Sequence, residues 1–192
     1  MNVGILTSGG LCPGLNTVIR NVALKELSLN KHTNVYGFDS GFQGLNKNIK
    51  TRLKEEDVMY IQDKPGTVLH TSRERLAIGE AASSISTLDK IYCIGGNGTL
   101  EAAKLIHNSF FDVNVIGIAK TIDNDIHQLE SFGYQTAAEE TSKCIRCAYT
   151  EATSMKCIVF IETMGRNSGF LAAHSTQASA GYVDYCMVPE SP

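Results

Sequence analysis

The sequence predicts a doubly wound α/β fold, a mostly parallel sheet with helices on both faces, and three observations carry that reading. Short β-branched runs alternate with helical patterns along nearly the whole chain. The runs are apolar at consecutive positions, as in strands buried on both faces. The glycine-, hydroxyl- and charge-rich stretches follow the runs, where such folds lead from strand ends into helix N-termini and bind their ligands.

The predicted strands are 3–7 (VGILT), 34–38 (NVYGF), 90–95 (KIYCIG), 114–119 (NVIGIA), 157–163 (CIVFIET) and 183–188 (VDYCMV). Between them, apolar or small residues recur at helical spacing: Leu15, Val18, Ile19 and Val22, then Ala102, Leu105 and Ile106, then Ala137, Thr141, Cys144 and Ala148. Residues 63–90 are broken by Gly66, Gly79 and the SSIST run at 83–87, with a helix expected around 74–84. There is no low-complexity segment, internal repeat or clear linker.

With 192 residues, the chain is expected to form one domain or part of something larger, since domains average about 150 residues. Its net charge is −3, and without a basic run it has no footprint for nucleic acid. No stretch approaches the roughly 18 apolar residues of a membrane span, and Met1-Asn2 leads straight into a strand with no signal-peptide pattern. A cytoplasmic protein without membrane or nucleic-acid partners is expected. The six cysteines are scattered through apolar segments, so reduced thiols are expected. Cys144 and Cys147 form a C-x-x-C inside a helical stretch with no second ligand pair nearby, and a packed helix face is the preferred reading over a redox or zinc site.

Four strand-end loops carry the chemistry. SGGLCPGLN (8–16) offers Gly9 and Gly10, whose backbone N–H groups can curl around an anion, although an ordinary tight turn fits equally well. GGNGT (95–99) repeats the theme with Gly96, Asn97 and Gly98, and with Thr99 as a helix cap. PGTVLHTSR (65–73) ends in Arg73, a side chain shaped to clamp phosphate, with a solvated surface arginine as the alternative. KTIDND (120–125) supplies Lys120 and Thr121 as phosphate donors, and Asp123 and Asp125 share a side if the segment stays extended. A metal holder, a base and cations are the parts phosphoryl transfer needs, while helix or turn capping is the alternative for the two aspartates. A fifth stretch, ETMGRNSGF (162–170), places Arg166 near an expected helix N-terminus, an arrangement that calls for an anion.

Taken in order, TSGGLCPGLNTVIR, GTVLHTSR, IGGNGT, KTIDNDI, MGRNSGFLA and VPESP make the chain similar to the phosphofructokinase family from Val3 to Pro192, and most to its plant and protist ATP-dependent branch. The resemblance implies a nucleotide-side domain over about 1–130 and the start of a sugar-phosphate-side domain over about 131–192. It implies transfer of a phosphoryl group from ATP with Mg²⁺ to the 1-hydroxyl of fructose 6-phosphate, giving fructose 1,6-bisphosphate. Asp123 would be the base, with Thr121 and Lys120 beside it. Asp125 and Asn97 would bear on the metal. Gly9, Gly10, Phe42, Arg73 and Gly96 to Thr99 would hold the donor. Met164, Gly165, Arg166 and Glu190 would contact the sugar phosphate, with Arg166 also stabilising transition-state charge.

Three departures accompany the resemblance. Asn97 stands where the family has an aspartate, which implies weaker Mg²⁺ binding or lost activity. His70 stands where it usually has glycine. Family chains are also longer, so the sequence reads as an amino-terminal portion, a homo-oligomer when complete, whose activity alone is doubtful. Gly98 favours ATP, because pyrophosphate-dependent relatives tend to carry an acid there, whereas Lys120 occurs with both donors. A catalytically silent regulatory paralogue is the reading from a different class.

Overall fold

A computed structural model describes residues 1–127 and 129–191. The chain divides into two compact units, Met1–Lys120 and Thr121–Pro192.

The first unit is built on a five-stranded sheet, ordered β3-β2-β1-β4-β5. Its strands are β1 (Asn2–Ser8), β2 (Asn34–Phe38), β3 (Lys50–Leu53), β4 (Lys90–Gly95) and β5 (Asn114–Ala119). Four were expected and run parallel. The unexpected β3 pairs antiparallel with β2, Val35 opposite Leu53. Its sequence, KTRL, is polar and short, as edge strands commonly are, so it lacks the apolar run that marks the others.

Helix α1 (Leu15–Leu29) packs through Leu15, Ile19 and Ala23. On the opposite sheet face α2 (Phe42–Lys47), α4 (Ile78–Ile85) and α5 (Asn97–Ser109) bury Phe42, Leu45, Ile85 and Ile106 against Leu6, Phe38, Ile91 and Cys93. The short α3 (Glu55–Val58) lies between β3 and α4 in the chain. Cys93 is fully buried, and burial pushes its thiol up to about 12, so it is inert packing. All six cysteines are free.

Three expectations are corrected in the second unit, which consists of α6 (Tyr134–Met155), α7 (Phe170–Ala178) and irregular chain. Residues 157–163 and 183–188 do not form strands. A β-branched run becomes a strand only where another strand takes its backbone hydrogen bonds, and none does among the described residues apart from an isolated bridge between Val188 and Ser191. Ile158, Phe160 and Tyr185 are consequently 83, 80 and 89 % exposed, and the two stretches line a cavity of about 290 Å³ with α6 and α7. The C-x-x-C lies in α6 as predicted, yet Cys144 and Cys147 face outward. The face that packs runs through Tyr134, Ala137, Ala138, Ser142 and Ile145, because the 3.6-residue period carries both cysteines off it.

Candidate functional site

Strand register builds the site in the first unit. Ser8 pairs with Gly95, and Gly95 with Ala119, so three parallel strands end level with one another. The residues that follow, Gly9, Gly96 and Lys120, therefore leave the sheet together. Connections from β1 and β4 run to opposite sides of the sheet, which makes this gap the topological switch point.

Gly9 turns with φ of 89°, a left-handed conformation that costs other L-residues about 1–2 kcal/mol. Its N–H donates to the Ser72 carbonyl at 3.1 Å, and its own carbonyl accepts from the Thr71 hydroxyl at 2.8 Å. The Ser72 hydroxyl in turn reaches the Ser40 carbonyl at 2.7 Å. These bonds hold the 65–73 loop across the ends of β1 and β2. Lys120 is buried, and its Nζ donates to the Gly10 carbonyl at 2.7 Å, tying the end of β5 to the glycine loop.

Residue Asn97 opens α5 with Gly96 at its N-cap. Thr99 does not cap the helix as expected. Gly96 takes the N-cap position, which leaves Thr99 as the third residue of α5, and its hydroxyl donates to the Ser8 carbonyl at 3.4 Å.

The resulting cavity, about 640 Å³, gathers Gly9, Gly10, Phe42, Arg73, Gly96, Asn97, Gly98, Thr99 and Lys120. Glu74, Arg75, Leu76 and Glu101 also line it, although none belongs to the strand-end motifs. The doubled charge of SRER was the one signal available. Beside the cavity loop, His70 takes a left-handed φ of 53°, and its Nδ1 lies 2.6 Å from Asp39 Oδ1. The hydrogen bond with His70 holds the Asp39 carboxyl below its ordinary range. The ring is exposed and directed at that carboxylate.

In the second unit, KTIDND does not stay extended, since Asn124 turns left-handed with φ of 54°. The Thr121 hydroxyl is the hub of the turn, accepting from the Asp123 N–H at 3.1 Å and donating to Asp125 Oδ1 at 2.7 Å. The Ser168 hydroxyl donates to the Asp123 carbonyl at 3.3 Å, which joins this turn to the loop carrying Met164, Gly165 and Arg166. Arg166 has a left-handed φ of 53°, an unusual conformation of the kind that gathers at functional sites.

The first residue of α7 is Phe170, four residues beyond Arg166, and the helix end already has its anion. The Gly169 N–H donates to both Glu190 oxygens, at 2.8 and 3.0 Å, so the helix dipole alone does not require a bound phosphate. A side chain at Gly169 would collide with Val188 and lie 2.6 Å from Glu190 Oε2, which explains the glycine.

A mostly parallel sheet with two glycine loops at its switch point, lined there by Arg73, Arg75 and Lys120 together with Glu74 and Glu101, defines a doubly wound α/β protein. The sequence profile of the phosphofructokinase family matches residues 2–192, and the chain belongs to that family. It is 40 % identical over 196 residues to ATP-dependent 6-phosphofructokinase 7 of Arabidopsis thaliana, covering 98 % of this chain and 40 % of that protein. With the ATP-dependent 6-phosphofructokinase of Trypanosoma brucei brucei it shares 38 % over 201 residues, 99 % of this chain and 41 % of that one. The chain thus spans about two fifths of the length of these curated relatives. The fold matches that of Pichia pastoris phosphofructokinase in the T-state with a TM-score of 0.87 at 23 % identity, over 100 % of this chain and 21 % of that one.

Proposed function

We propose that the chain serves an ATP-dependent 6-phosphofructokinase, in which Met1–Lys120 holds the donor nucleotide and the KTIDND turn activates fructose 6-phosphate. The observation that carries this reading is the cavity at the switch point, where Lys120 and Arg73 face two glycine loops. Phosphoryl transfer is catalysed mainly by positioning and by neutralising charge on the transferring oxygens, and these groups supply both. The donor assignment rests on the ATP-dependent relatives and on Gly98, where a Cβ would meet nothing within 4 Å and the space for a nucleotide α-phosphate stays open.

Thr121 has a defined part in the chemistry. By holding the Asp123 amide and the Asp125 carboxylate on one hydroxyl, it fixes the loop from which Asp123 takes the proton of the sugar 1-hydroxyl. The Arg166 guanidinium then offsets charge that develops on the phosphoryl group. Mg²⁺ keeps several waters besides one or two protein ligands, and the side-chain oxygen of Asn97 in the first unit, or of Asp125 in the second, is of the hard kind that would hold it. When bound, the ion neutralises the polyphosphate. Met164, Gly165 and Glu190 complete the sugar-phosphate side. Homo-oligomeric assembly and a cytoplasmic location belong to the same reading.

Production of fructose 1,6-bisphosphate by the natural protein, assayed with ATP and with pyrophosphate in parallel, is the direct test. Turnover with pyrophosphate alone would transfer the assignment to a pyrophosphate-dependent enzyme, with which Lys120 is also compatible. Absence of turnover with either donor, with nucleotide binding retained, would leave a regulatory paralogue, which Asn97 favours.

A further inference from the structure

Arg73 and Arg75 both line the donor cavity, and among the described residues neither guanidinium has a hydrogen-bond or ion-pair partner. Between them in sequence stands Glu74, which lines the cavity as Glu101 of α5 does, and neither acid forms an ion pair with these arginines among the described residues. Asn46 of α2, itself buried, holds this stretch of chain. Its Nδ2 donates to Glu74 Oε1 at 3.3 Å and to the Arg75 carbonyl at 3.0 Å, while its Oδ1 accepts from the Ala77 N–H at 3.0 Å. One side chain therefore fixes the backbone on both sides of Leu76 and engages the acid.

Residues 71–77 have no regular secondary structure to fix them, and the buried side chain supplies the rigidity that a strand or helix would give. Two guanidiniums two positions apart, without protein partners and facing glycine loops, form an anion clamp that awaits its ligand.

Resting on the donor-site reading above, we propose that Arg75 is a second guanidinium contact to the polyphosphate of the donor, and that Asn46 is the positioning residue that holds it there. Asn46 touches no ligand. It acts by keeping the Arg75 backbone in place and Glu74 occupied.

The test is calorimetric titration of the wild-type chain and of Arg75→Ala, Arg75→Lys, Asn46→Ala and the Arg75→Ala/Asn46→Ala pair with ATP, pyrophosphate and adenosine. Losing a charge-assisted contact weakens binding by about ten- to a hundred-fold, and Arg75→Ala should do so for whichever of ATP and pyrophosphate the wild type binds. Arg75→Lys should fall between, because it keeps the charge and loses the fork. Adenosine binding should not change. Asn46→Ala should weaken the same anions, and adding it to Arg75→Ala should cost nothing further, since it acts through that arginine.

Wild-type affinity for the anions in Arg75→Ala, or an equal loss for adenosine, would overturn the polyphosphate contact. An Asn46→Ala effect that adds in full to Arg75→Ala would reduce Asn46 to a structural residue. Because the Arg75 side chain is exposed and, among the described residues, forms no hydrogen bond or ion pair, its variants decide the contact even if Asn46→Ala fails to fold. If the wild type binds ATP with the Arg75 signature but never phosphorylates fructose 6-phosphate, the kinase reading falls and this inference stands. If it binds neither anion, both fall.

Discussion

Asp123 and Asn97 are the proposed site residues that single substitutions test most directly. On the proposed reading Asp123 is a base that acts in the transition state, so its replacement by serine should lower turnover in the natural protein by about 10²–10⁴-fold while fructose 6-phosphate affinity changes little. Initial rates and substrate titration check this, and unchanged turnover would remove Asp123 from the role. Asn97→Asp has two separable consequences. An acid in the first turn of α5 meets the positive helix end and should raise stability by about 0.3–1 kcal/mol whatever else it does. A left-shifted Mg²⁺ dependence should follow only if position 97 is a ligand, so thermal melting and metal titration together separate the two effects. The residues of this site that the sequence revealed are those whose chemistry is local: Gly9 supplies a left-handed turn, and Lys120 and Arg73 carry charge next to strand ends. Asn46 and Arg75 escaped notice because their meeting spans 29 positions, and no pattern in a single sequence joins an asparagine on one helix to a carbonyl in a distant loop.

Among the elements, α1 and β4 are joined by a buried polar contact at the opposite end of the strands from the cavity. Glu26 is 2 % exposed, and its Oε1 accepts from Lys90 Nζ at 2.8 Å and from the Tyr92 hydroxyl at 2.6 Å. Burial pushes the Glu26 carboxyl up, but the hydrogen bonds from Lys90 and Tyr92 and the lysine charge outweigh it, and its pKa lies below the ordinary 4.5. Burial and the Glu26 carboxylate push Tyr92 up to about 12. Lys90→Met would leave the carboxylate buried without its counter-charge, and unfolding free energy in denaturant titration should fall by about 3–5 kcal/mol. A carboxyl depressed by folding contributes stability that is in place above its unfolded pKa and lost as pH falls through its folded one. Wild-type stability should therefore decline below about pH 4.5, and Glu26→Gln should flatten that decline. Element existence was legible wherever an apolar run or a helical period was long. Element ends were not: a helix expected from about 74 begins at Ile78, and the Arg75 carbonyl and Ala77 N–H before it are engaged by the Asn46 side chain.

The whole molecule shows where sequence and structure each have their say. Unit Thr121–Pro192 exposes Ile158, Phe160, Tyr185 and Met187 on stretches that read as strands and, apart from the isolated Val188–Ser191 bridge, pair with none of the described residues. An apolar surface of that kind binds hydrophobic dyes, so the 192-residue chain should enhance bis-ANS fluorescence while folded, and Ile158→Lys/Phe160→Lys should cut the enhancement by more than half. An unchanged signal would show that these side chains are covered in solution. The α/β class, four of the five described strands, the family and the glycine- and charge-rich strand-end loops are all legible from the amino acids alone. The class and the strands are written in periodicity and the family in its ordered motifs, all of which are local in the chain. Only the tertiary structure decided which strand ends stand level, which buried asparagine holds which loop, and which apolar runs become strands. Each of these depends on hydrogen-bond partners far away in the chain, and a backbone group is satisfied by whatever folding brings to it, not by its neighbours in sequence.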